Sequence, residues 1–215
     1  MTGTNESLRD ALLDAALPHV TFDGWGPATL QAAALDARID AALLPVILPR
    51  GGLDLAVVYH RRGDAEMVAK LAAMGMDGLK FRDRVAAAVR LRLEVGDRDI
   101  VRRGAALFSL PQNMPLGAQM LWGTADAIWR ALGDNATDIN WYSKRATLSA
   151  VYSSAVLYWL GDESEGQAET WAFIDRRIGD VMQFEKAKAR FRASGAAKLL
   201  AGPMGLLARI KAPEP

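Results

Sequence analysis

Apolar residues recur three or four positions apart along nearly all of the 215-residue chain, and alternating runs of β-branched residues are almost missing. Because side chains at that spacing share one face of a helix, the pattern predicts an all-α protein. Prolines and glycines separate three short helices before residue 50 from longer helices after it. We therefore expect a small helix-turn-helix-like unit at residues 1–50, a larger helical body at 51–193 and a tail at 194–215.

The expected helix boundaries follow from capping residues, prolines and glycines. Ser7 is expected to cap a first helix that ends before Pro18, and Pro27 is expected to open the second. Ser164 begins a capping-box pattern, which predicts the start of the last helix. The expected helices are 7–17, 28–35, 38–44, 53–74, one from beyond Gly78 to about 95, 99–110, 116–132, 138–160 and 164–193.

The chain has no cysteine and only two histidines, His19 and His60. It therefore lacks a disulfide framework, thiolate metal ligands and the Glu-x-x-His pairs of a di-iron bundle. Common phosphate-binding and nucleophile motifs are also missing, so we expect a non-catalytic protein with no metal and no cofactor. Carboxylates beside helix ends, such as Asp97 and Asp162, are expected to cap helices rather than to transfer protons.

The charge of the first 50 residues argues against DNA binding. This segment has a net charge of −3, and residues 39–44, in the position of a recognition helix, hold one acid and no cation. DNA affinity comes largely from cations that neutralise phosphates, and base readout needs Arg, Lys, Asn or Gln. We expect no nucleic-acid partner. A ligand-responsive transcription regulator remains the alternative, because a helix-turn-helix followed by a helical body is its layout.

The C-terminal residues have the opposite character, with a net charge of +6 over residues 186–215. Cations flanking a short apolar face are typical of an amphipathic helix that lies on an anionic bilayer. Packing on the body, or disorder, is the other interpretation, because Gly195, Gly202, Pro203 and Gly205 weaken a continuous helix. The residues expected to contact the membrane are Lys198, Leu199, Leu200, Met204, Leu206, Leu207, Arg209, Ile210 and Lys211.

Two uncharged stretches imitate membrane spans. A turn with two prolines interrupts residues 104–125, and residues 146–161 are shorter than the roughly 20 residues that a span needs. The N-terminal residues include Glu6 and Asp10 and have no apolar core, so neither a signal peptide nor a transit peptide is expected. We expect either a protein of the bacterial cytoplasm or the mature form of a processed protein.

Three runs in the second half of the chain resemble a known family. They are residues 137–154 (TDINWYSKRATLSAVYSS), 157–160 (LYWL) and 170–178 (TWAFIDRRI), with weaker support from Gly24-Trp25 and from residues 49–55. The chain resembles the lipid-binding accessory protein family of ubiquinone (coenzyme Q) biosynthesis. Where that family commonly has Thr-Glu, this chain has Ala155-Val156.

The resemblance implies a fold like that of the TetR regulators and a homodimer whose body holds an isoprenoid quinone precursor or a phospholipid. It also implies an accessory role without DNA binding, in which the protein presents the lipid to a quinone-ring hydroxylase. The expected location is then peripheral to the bacterial inner membrane, with the tail as an amphipathic helix on the bilayer. A structural scaffold of a biosynthetic complex is a further alternative.

The types of residue indicate candidate lipid-binding and partner-binding sites. Flexible methionine and aromatic side chains around a proline turn favour a lipid-binding cavity lined by Leu107, Phe108, Met114, Leu116, Met120, Leu121 and Trp122. Tyr158, Trp159 and Trp171 are expected to form an aromatic patch for a partner, with burial as the alternative. Trp141 and Tyr152 are expected in the core. Lys144 and Arg145 are expected to pair with Asp138 or Asp175, or to meet a lipid phosphate.

Overall fold

The computed structural model describes the backbone of residues 2–76, 78–137 and 139–193, and the side chains of residues 5–76, 78–137 and 139–183. These residues form α-helices and two short 3₁₀ helices and contain no strand, which confirms the all-α prediction. The helices are α1 (Thr2–Asp23), α2 (Pro27–Asp36), η1 (Ala41–Leu43), α3 (Leu44–Ile47), α4 (Gly52–Met74), α5 (Phe81–Glu94), α6 (Arg98–Phe108), α7 (Met114–Ala131), α8 (Ile139–Gly161), η2 (Glu165–Gln167) and α9 (Ala168–Ala193).

The first helix is longer than expected and runs through Pro18. A proline inside a helix removes one backbone hydrogen bond and costs about 3 kcal/mol. Val20, which follows the exposed Pro18, is fully buried, and burying a valine side chain contributes about 1.5 to 3 kcal/mol. The prediction that α1 ends before Pro18 is therefore wrong, because tertiary burial outweighs the local cost.

The expected helix over residues 38–44 is replaced by two shorter elements, η1 and α3. Arg38 has a left-handed backbone with φ 55°, which an α-helix does not accommodate. The Asp40 carboxylate then accepts a hydrogen bond from the Ala42 N–H at 2.9 Å and starts η1. Pro45 lies in the first turn of α3, where its missing N–H costs nothing.

The described residues divide into two compact units. Unit 1 comprises residues 2–66 and 94–120. Unit 2 comprises residues 67–76, 78–93, 121–137 and 139–193. Residue 50 is not a boundary between these units, and the functional division at residues 50 and 193 stays a prediction.

Unit 1 surrounds an apolar core to which α1, α2, α3, α4 and α6 contribute. The backbone of Trp25 lies directly against Gly52, and a Cβ added at Gly52 would overlap the Trp25 carbonyl group, whose carbon is 2.7 Å from that position. Arg62 on α4 forms ion pairs with Asp10 and Asp14 on α1. These ion pairs link α4 to α1.

Unit 2 contains α8 and α9, which are joined by a turn around Asp162. This carboxylate accepts hydrogen bonds from the Ser164 N–H at 2.8 Å and from the N–H and hydroxyl of Thr170. These hydrogen bonds hold the pKa of Asp162 far below its ordinary value. Asp97 likewise caps α6 by accepting from the Asp99 and Ile100 N–H groups. Both residues confirm the predicted capping role.

The last helix begins later than the capping-box pattern predicts. Residues 165–167 form the 3₁₀ helix η2, and α9 starts at Ala168. The reason is a left-handed backbone at Gly166 and Gln167, with φ 60° and 61°, which breaks the helix. The Ser164 hydroxyl still caps by accepting from the Glu169 N–H at 3.1 Å.

No single described helix is both long and apolar enough to cross a membrane. The pair formed by Ala41–Ile47 and Gly52–Met74, bent by 64°, meets the length and composition requirements together.

Candidate functional site

A cavity of about 640 Å³ opens within unit 2 among α5, α7, α8 and α9. That volume lies in the range of roughly 300 to 1,000 Å³ typical of small-molecule sites. Leu148 and Val151 of α8 and Ile178 of α9 are buried where they line it. The apolar lining consists of Phe81, Val85, Trp129, Ala136, Leu148, Val151, Ile178, Val181 and Met182.

Polar side chains line the same cavity from the α7–α8 loop and the first turns of α8. Lys144 is the one charged residue among the described residues of the lining. The polar lining consists of Asn135, Thr137, Asn140, Ser143, Lys144 and Thr147. The cavity is therefore amphipathic, with a polar side on the N-terminal part of α8 and an apolar side on α5 and α9.

Lys144 belongs to a network of ion pairs. Its ammonium nitrogen lies 2.6 Å from Asp134 Oδ1, and Arg145 Nη1 lies 3.1 Å from Asp134 Oδ2. Arg145 Nε lies 2.6 Å from Asp126 Oδ1, and the guanidinium lies 3.9 Å from the centre of the Trp141 ring. Arg145 is only 1% exposed, so both carboxylates compensate a charge that is removed from water.

The end of α7 positions Asp134 for these contacts. Gly133 has a left-handed backbone with φ 78°, and the Asp134 N–H donates to the Trp129 carbonyl oxygen at 2.9 Å, as in a common helix-ending turn. Burial by itself would raise the pKa of Asp134. Hydrogen bonds from Lys144 and Arg145 outweigh that effect and lower the pKa below its ordinary value. Asp134 is therefore ionised at neutral pH.

The Trp129 ring forms one wall of the cavity and is held from three sides. Its indole N–H donates to the Lys144 carbonyl oxygen at 3.1 Å. Phe81 stacks on the ring at 5.6 Å between centroids, and the Lys144 ammonium lies 5.2 Å from the ring centre. Phe81 is 44% exposed, so this wall of the cavity reaches the protein surface.

A cluster of aromatic rings next to this network was missed by the sequence analysis. Trp122, Trp141 and Tyr142 contact one another at centroid distances of 4.8 to 6.4 Å, and all three are half-buried. Tyr152 is buried as predicted, but Trp141 is not a core residue, because its ring packs on Arg145 and Tyr142 at the edge of unit 2. The sequence signal that points to this cluster is the Asn-Trp-Tyr run at residues 140–142, followed by Lys-Arg at residues 144–145.

The expected partners of Lys144 and Arg145 are replaced by others. Asp175 pairs with Arg90 at 2.7 Å, whereas Lys144 and Arg145 pair with Asp134 and Asp126. The α7–α8 loop returns Asp134 to the start of α8, so the nearby carboxylates come from that loop and α7 rather than from α9. Asp138 lies outside the described residues.

The seven residues predicted to bind lipid lie at the end of α6 and along α7, and none of them lines the cavity described above. Leu107 and Phe108 pack half-buried on the core of unit 1. Met114 is 57% exposed, whereas Met120 is buried. The remaining three are half-buried: Leu116, Leu121 and Trp122. Their role as lipid ligands stays a prediction.

The predicted aromatic patch is only partly at the surface. Trp159 is 3% exposed and donates to Gln167 Oε1 at 2.7 Å, so it lies inside unit 2 rather than facing a partner. Tyr158 is half-buried and stacks on Phe173 at 4.5 Å. Trp171 is also half-buried and donates to the Gly166 carbonyl oxygen. The patch is thus reduced to Tyr158 and Trp171, and its role stays a prediction.

The segment in the position of a recognition helix exposes apolar side chains beside one exposed carboxylate, Asp40. Leu43 is 46% exposed and Val46 is 68% exposed, and residues 39–47 contain no cation. Elsewhere, the described residues hold no group of three His, Asp or Glu side chains that could bind a metal ion. The tail residues predicted to contact the membrane, 198–211, lie outside the described residues.

Sequence comparisons relate the chain to one family. Residues 114–185 match the COQ9 family model. The ubiquinone biosynthesis protein COQ9, mitochondrial, of Rattus norvegicus is 28% identical over 217 residues, which cover 97% of this chain and 69% of the rat protein. The protein of the same name from Drosophila melanogaster is 31% identical over 189 residues, covering 84% of this chain and 57% of the fly protein. The family resemblance of residues 137–178 is confirmed.

The fold has a relative among solved structures. The crystal structure of the TetR transcriptional regulator from Nitrosomonas europaea matches with a TM-score of 0.65, covering 80% of this chain and 97% of that one. At 19% identity this likeness shows the fold alone, and it confirms the prediction of a TetR-like architecture.

Proposed function

Because this chain is a homologue of the COQ9 proteins, we propose that it acts in ubiquinone biosynthesis as a non-catalytic lipid-binding protein. In this role it holds an isoprenoid quinone precursor or a phospholipid and presents it to the quinone-ring hydroxylase. The observation that supports the proposal is the amphipathic cavity of about 640 Å³, most of whose lining belongs to the segment that matches the family model.

The chemistry of the cavity favours binding over catalysis. Among the described residues of its lining, Lys144 is the one charged residue, and its ammonium lies 2.6 Å from Asp134, whose lowered pKa keeps that carboxylate ionised. A general base or nucleophile needs a group that is free to accept a proton or attack a substrate at neutral pH. Lys144 in this pair is a hydrogen-bond donor, which suits the recognition of an oxygen atom on a ligand.

The test is to extract the purified protein with organic solvent and identify the released lipid by mass spectrometry. Thr147→Trp places a large ring at a residue that lines the cavity, whereas Ala150→Trp places the same ring at an exposed position of α8. We expect isoprenoid or phospholipid from the wild type and from Ala150→Trp, and less than about one tenth as much from Thr147→Trp. Equal amounts from both variants, or no lipid from the wild type, would contradict the proposal.

The tail and the surface aromatics supply the other parts of the proposed role. The basic apolar residues 198–211 would bring the homodimer to the inner membrane of a bacterium, where an isoprenoid resides. Deletion of residues 196–215 is expected to lower flotation with vesicles that contain phosphatidylglycerol by at least fivefold. Unchanged flotation would remove the tail from this role. Tyr158 and Trp171 are the proposed contacts for the hydroxylase.

A further inference from the structure

The connection between α4 and α5 exposes apolar side chains. Met74 ends α4 and is 47% exposed, Leu79 lies in the connection and is 38% exposed, and Phe81 begins α5 and is 44% exposed. Among the described residues of unit 2, Leu157 on α8 is the only other large apolar side chain as exposed as these. Three of the four such side chains therefore lie within eight residues of the chain.

This connection is open to solvent and held by its own hydrogen bonds. Gly75 and Gly78 have left-handed backbones, with φ 67° and 81°, and nothing among the described residues lies within 4 Å of a Cβ added at either. Arg84 Nε donates to the Leu79 carbonyl oxygen at 3.0 Å, and the Asp83 N–H donates to the Lys80 carbonyl oxygen at 2.9 Å. The exposed apolar side chains are thus presented by a turn that α5 fixes.

Cations flank these apolar side chains. Lys80 and Arg82 precede and follow Phe81, and both are exposed. Lys70, also exposed, lies four residues before Met74 and therefore on the same face of α4. Residues 70–84 together have a net charge of +2, which comes from four cations and two acids: Lys70, Lys80, Arg82, Arg84, Asp77 and Asp83.

The positive surface continues from Arg82 onto α9. Arg82, Arg176 and Arg177 line a surface depression of about 390 Å³. Asp175 and Asp180 are the two acids among its described lining, and each forms an ion pair with an arginine. Cations outnumber acids in this described lining as well, so the exposed apolar side chains lie beside a surface that favours anions.

We propose that Met74, Leu79, Lys80, Phe81 and Arg82 form a docking surface for an anionic lipid bilayer. The three apolar side chains enter the boundary between head groups and acyl chains, and the two cations contact lipid phosphates. This contact goes beyond the proposed function, which assigns membrane contact to residues 198–211, and it does not depend on what the cavity holds.

A bilayer is the occupant that matches both properties of the docking surface. Exposed apolar side chains gain free energy when they leave water, and an isolated cation near an anionic leaflet gains about 1 kcal/mol. Phe81 also lines the cavity and stacks on Trp129 at 5.6 Å. Docking by this surface would therefore turn the wall of the cavity that reaches the protein surface toward the bilayer.

The first experiment places a reporter on the docking surface, which is straightforward because the chain has no cysteine. Leu79→Cys in the full-length protein is labelled with a fluorophore whose emission rises in an apolar environment. Leu35→Cys, at an exposed leucine on α2, carries the same label as the matched control. Vesicles of phosphatidylcholine with phosphatidylglycerol should raise the emission at residue 79 at least about threefold and leave that at residue 35 unchanged.

The second experiment measures flotation of unlabelled variants with the same vesicles. Leu79→Glu removes an apolar side chain and adds a charge that the bilayer repels, so we expect flotation about tenfold weaker than that of the wild type. Leu35→Glu makes the same change outside the docking surface and should float like the wild type. Vesicles of phosphatidylcholine alone should bind the wild type more weakly, because the cations then lack their partners.

Three results would overturn the inference. One is unchanged emission at residue 79 on vesicles with which the protein floats, because another surface then makes the contact. Another is a rise at residue 79 that depends on protein concentration without vesicles, because a second copy then covers the surface. The third is equal flotation of Leu79→Glu and Leu35→Glu, or no flotation of the wild type. If Leu79→Glu does not fold, the labelled Leu79→Cys protein decides alone.

Discussion

The two units bury different kinds of side chain. Unit 1 fills its centre with apolar residues, and Thr29 is its one buried polar residue among those described. Unit 2 buries five polar or charged residues, Arg92, Thr124, Arg145, Asp162 and Thr170, and also leaves a cavity of about 640 Å³. A filled apolar core gives a rigid framework. Unit 2 instead fixes charged groups with ion pairs and contains an open cavity.

The largest expected effect tests how tightly unit 1 is filled. Gly52→Ala would force a Cβ into the carbonyl group of Trp25, so the backbone of α4 has to move. We expect a loss of stability on the order of 4 kcal/mol, measured by urea denaturation. The matched control is Gly123→Ala on α7, where nothing lies within 4 Å of the new methyl group. Gly123→Ala should stabilise the protein by about 0.5 kcal/mol. Similar losses of stability in both variants would contradict the close packing of Trp25 against Gly52.

The second effect compares a buried ion network with an exposed one. Arg145→Met leaves Asp134 without one of its partners in the interior of unit 2, and we expect a loss of about 3 kcal/mol. Arg62→Met in unit 1 removes pairs with Asp10 and Asp14, whose side chains are more than half exposed. That change should cost less than about 1 kcal/mol. Equal losses of unfolding free energy for Arg145→Met and Arg62→Met in denaturant titrations would show that burial does not distinguish the two networks.

The third effect adds volume to both units. Ala33→Leu introduces a leucine at a fully buried position of unit 1 and should destabilise by about 2 kcal/mol through overpacking. Thr147→Leu introduces the same side chain into the lining of the cavity, where there is room, and should change stability by less than about 0.5 kcal/mol. Thermal melts of the two variants measure the difference. A larger loss for Thr147→Leu would mean that the cavity is not open space.

The smallest effect concerns the pH dependence of unit 2. Hydrogen bonds from Ser164 and Thr170 lower the pKa of Asp162 in the folded protein. A lowered folded-state pKa stabilises the fold above the unfolded pKa of about 3.9, and this contribution disappears as the pH falls through the folded value. Asp162→Asn should therefore melt below the wild type at pH 7.

That gap in melting temperature should narrow as the pH falls below about 4. Glu163→Gln, at the exposed neighbouring residue, is the control and should follow the wild type at every pH. A gap between Asp162→Asn and the wild type that stays constant down to the lowest accessible pH would contradict the ionised cap.

Local signals predicted much of the fold but not its exceptions. Pro27 opens α2 and Asp97 caps α6, as their side-chain chemistry indicates. Pro18 remains inside α1 because burial of Val20 depends on residues far away in sequence. The left-handed backbone of Arg38 is likewise a tertiary outcome, because nothing in the side chain of arginine favours it.

The candidate site was harder to predict than the fold. The run 137–154 was recognised as family-like, and it contains much of the cavity lining. The cavity itself is a gap among helices from four parts of the chain, α5, α7, α8 and α9. Residues 107–122 and residues 144–151 both contain apolar side chains, so hydrophobicity alone could not show which segment lines it. The pairing of Lys144 with Asp134 depends on the turn at Gly133, which hydrophobic periodicity does not report.

The most direct test of the account is photo-crosslinking of the full-length protein with a decyl benzoquinone that carries a diazirine on its chain, followed by peptide mass spectrometry. If the ligand occupies the cavity of unit 2, we expect labels on α8 and α9, within residues 140–151 and 178–182, and competition by unmodified decyl benzoquinone. Labels confined to residues 107–122, the seven-residue site expected from the sequence, would contradict the assignment of the ligand to the cavity of unit 2.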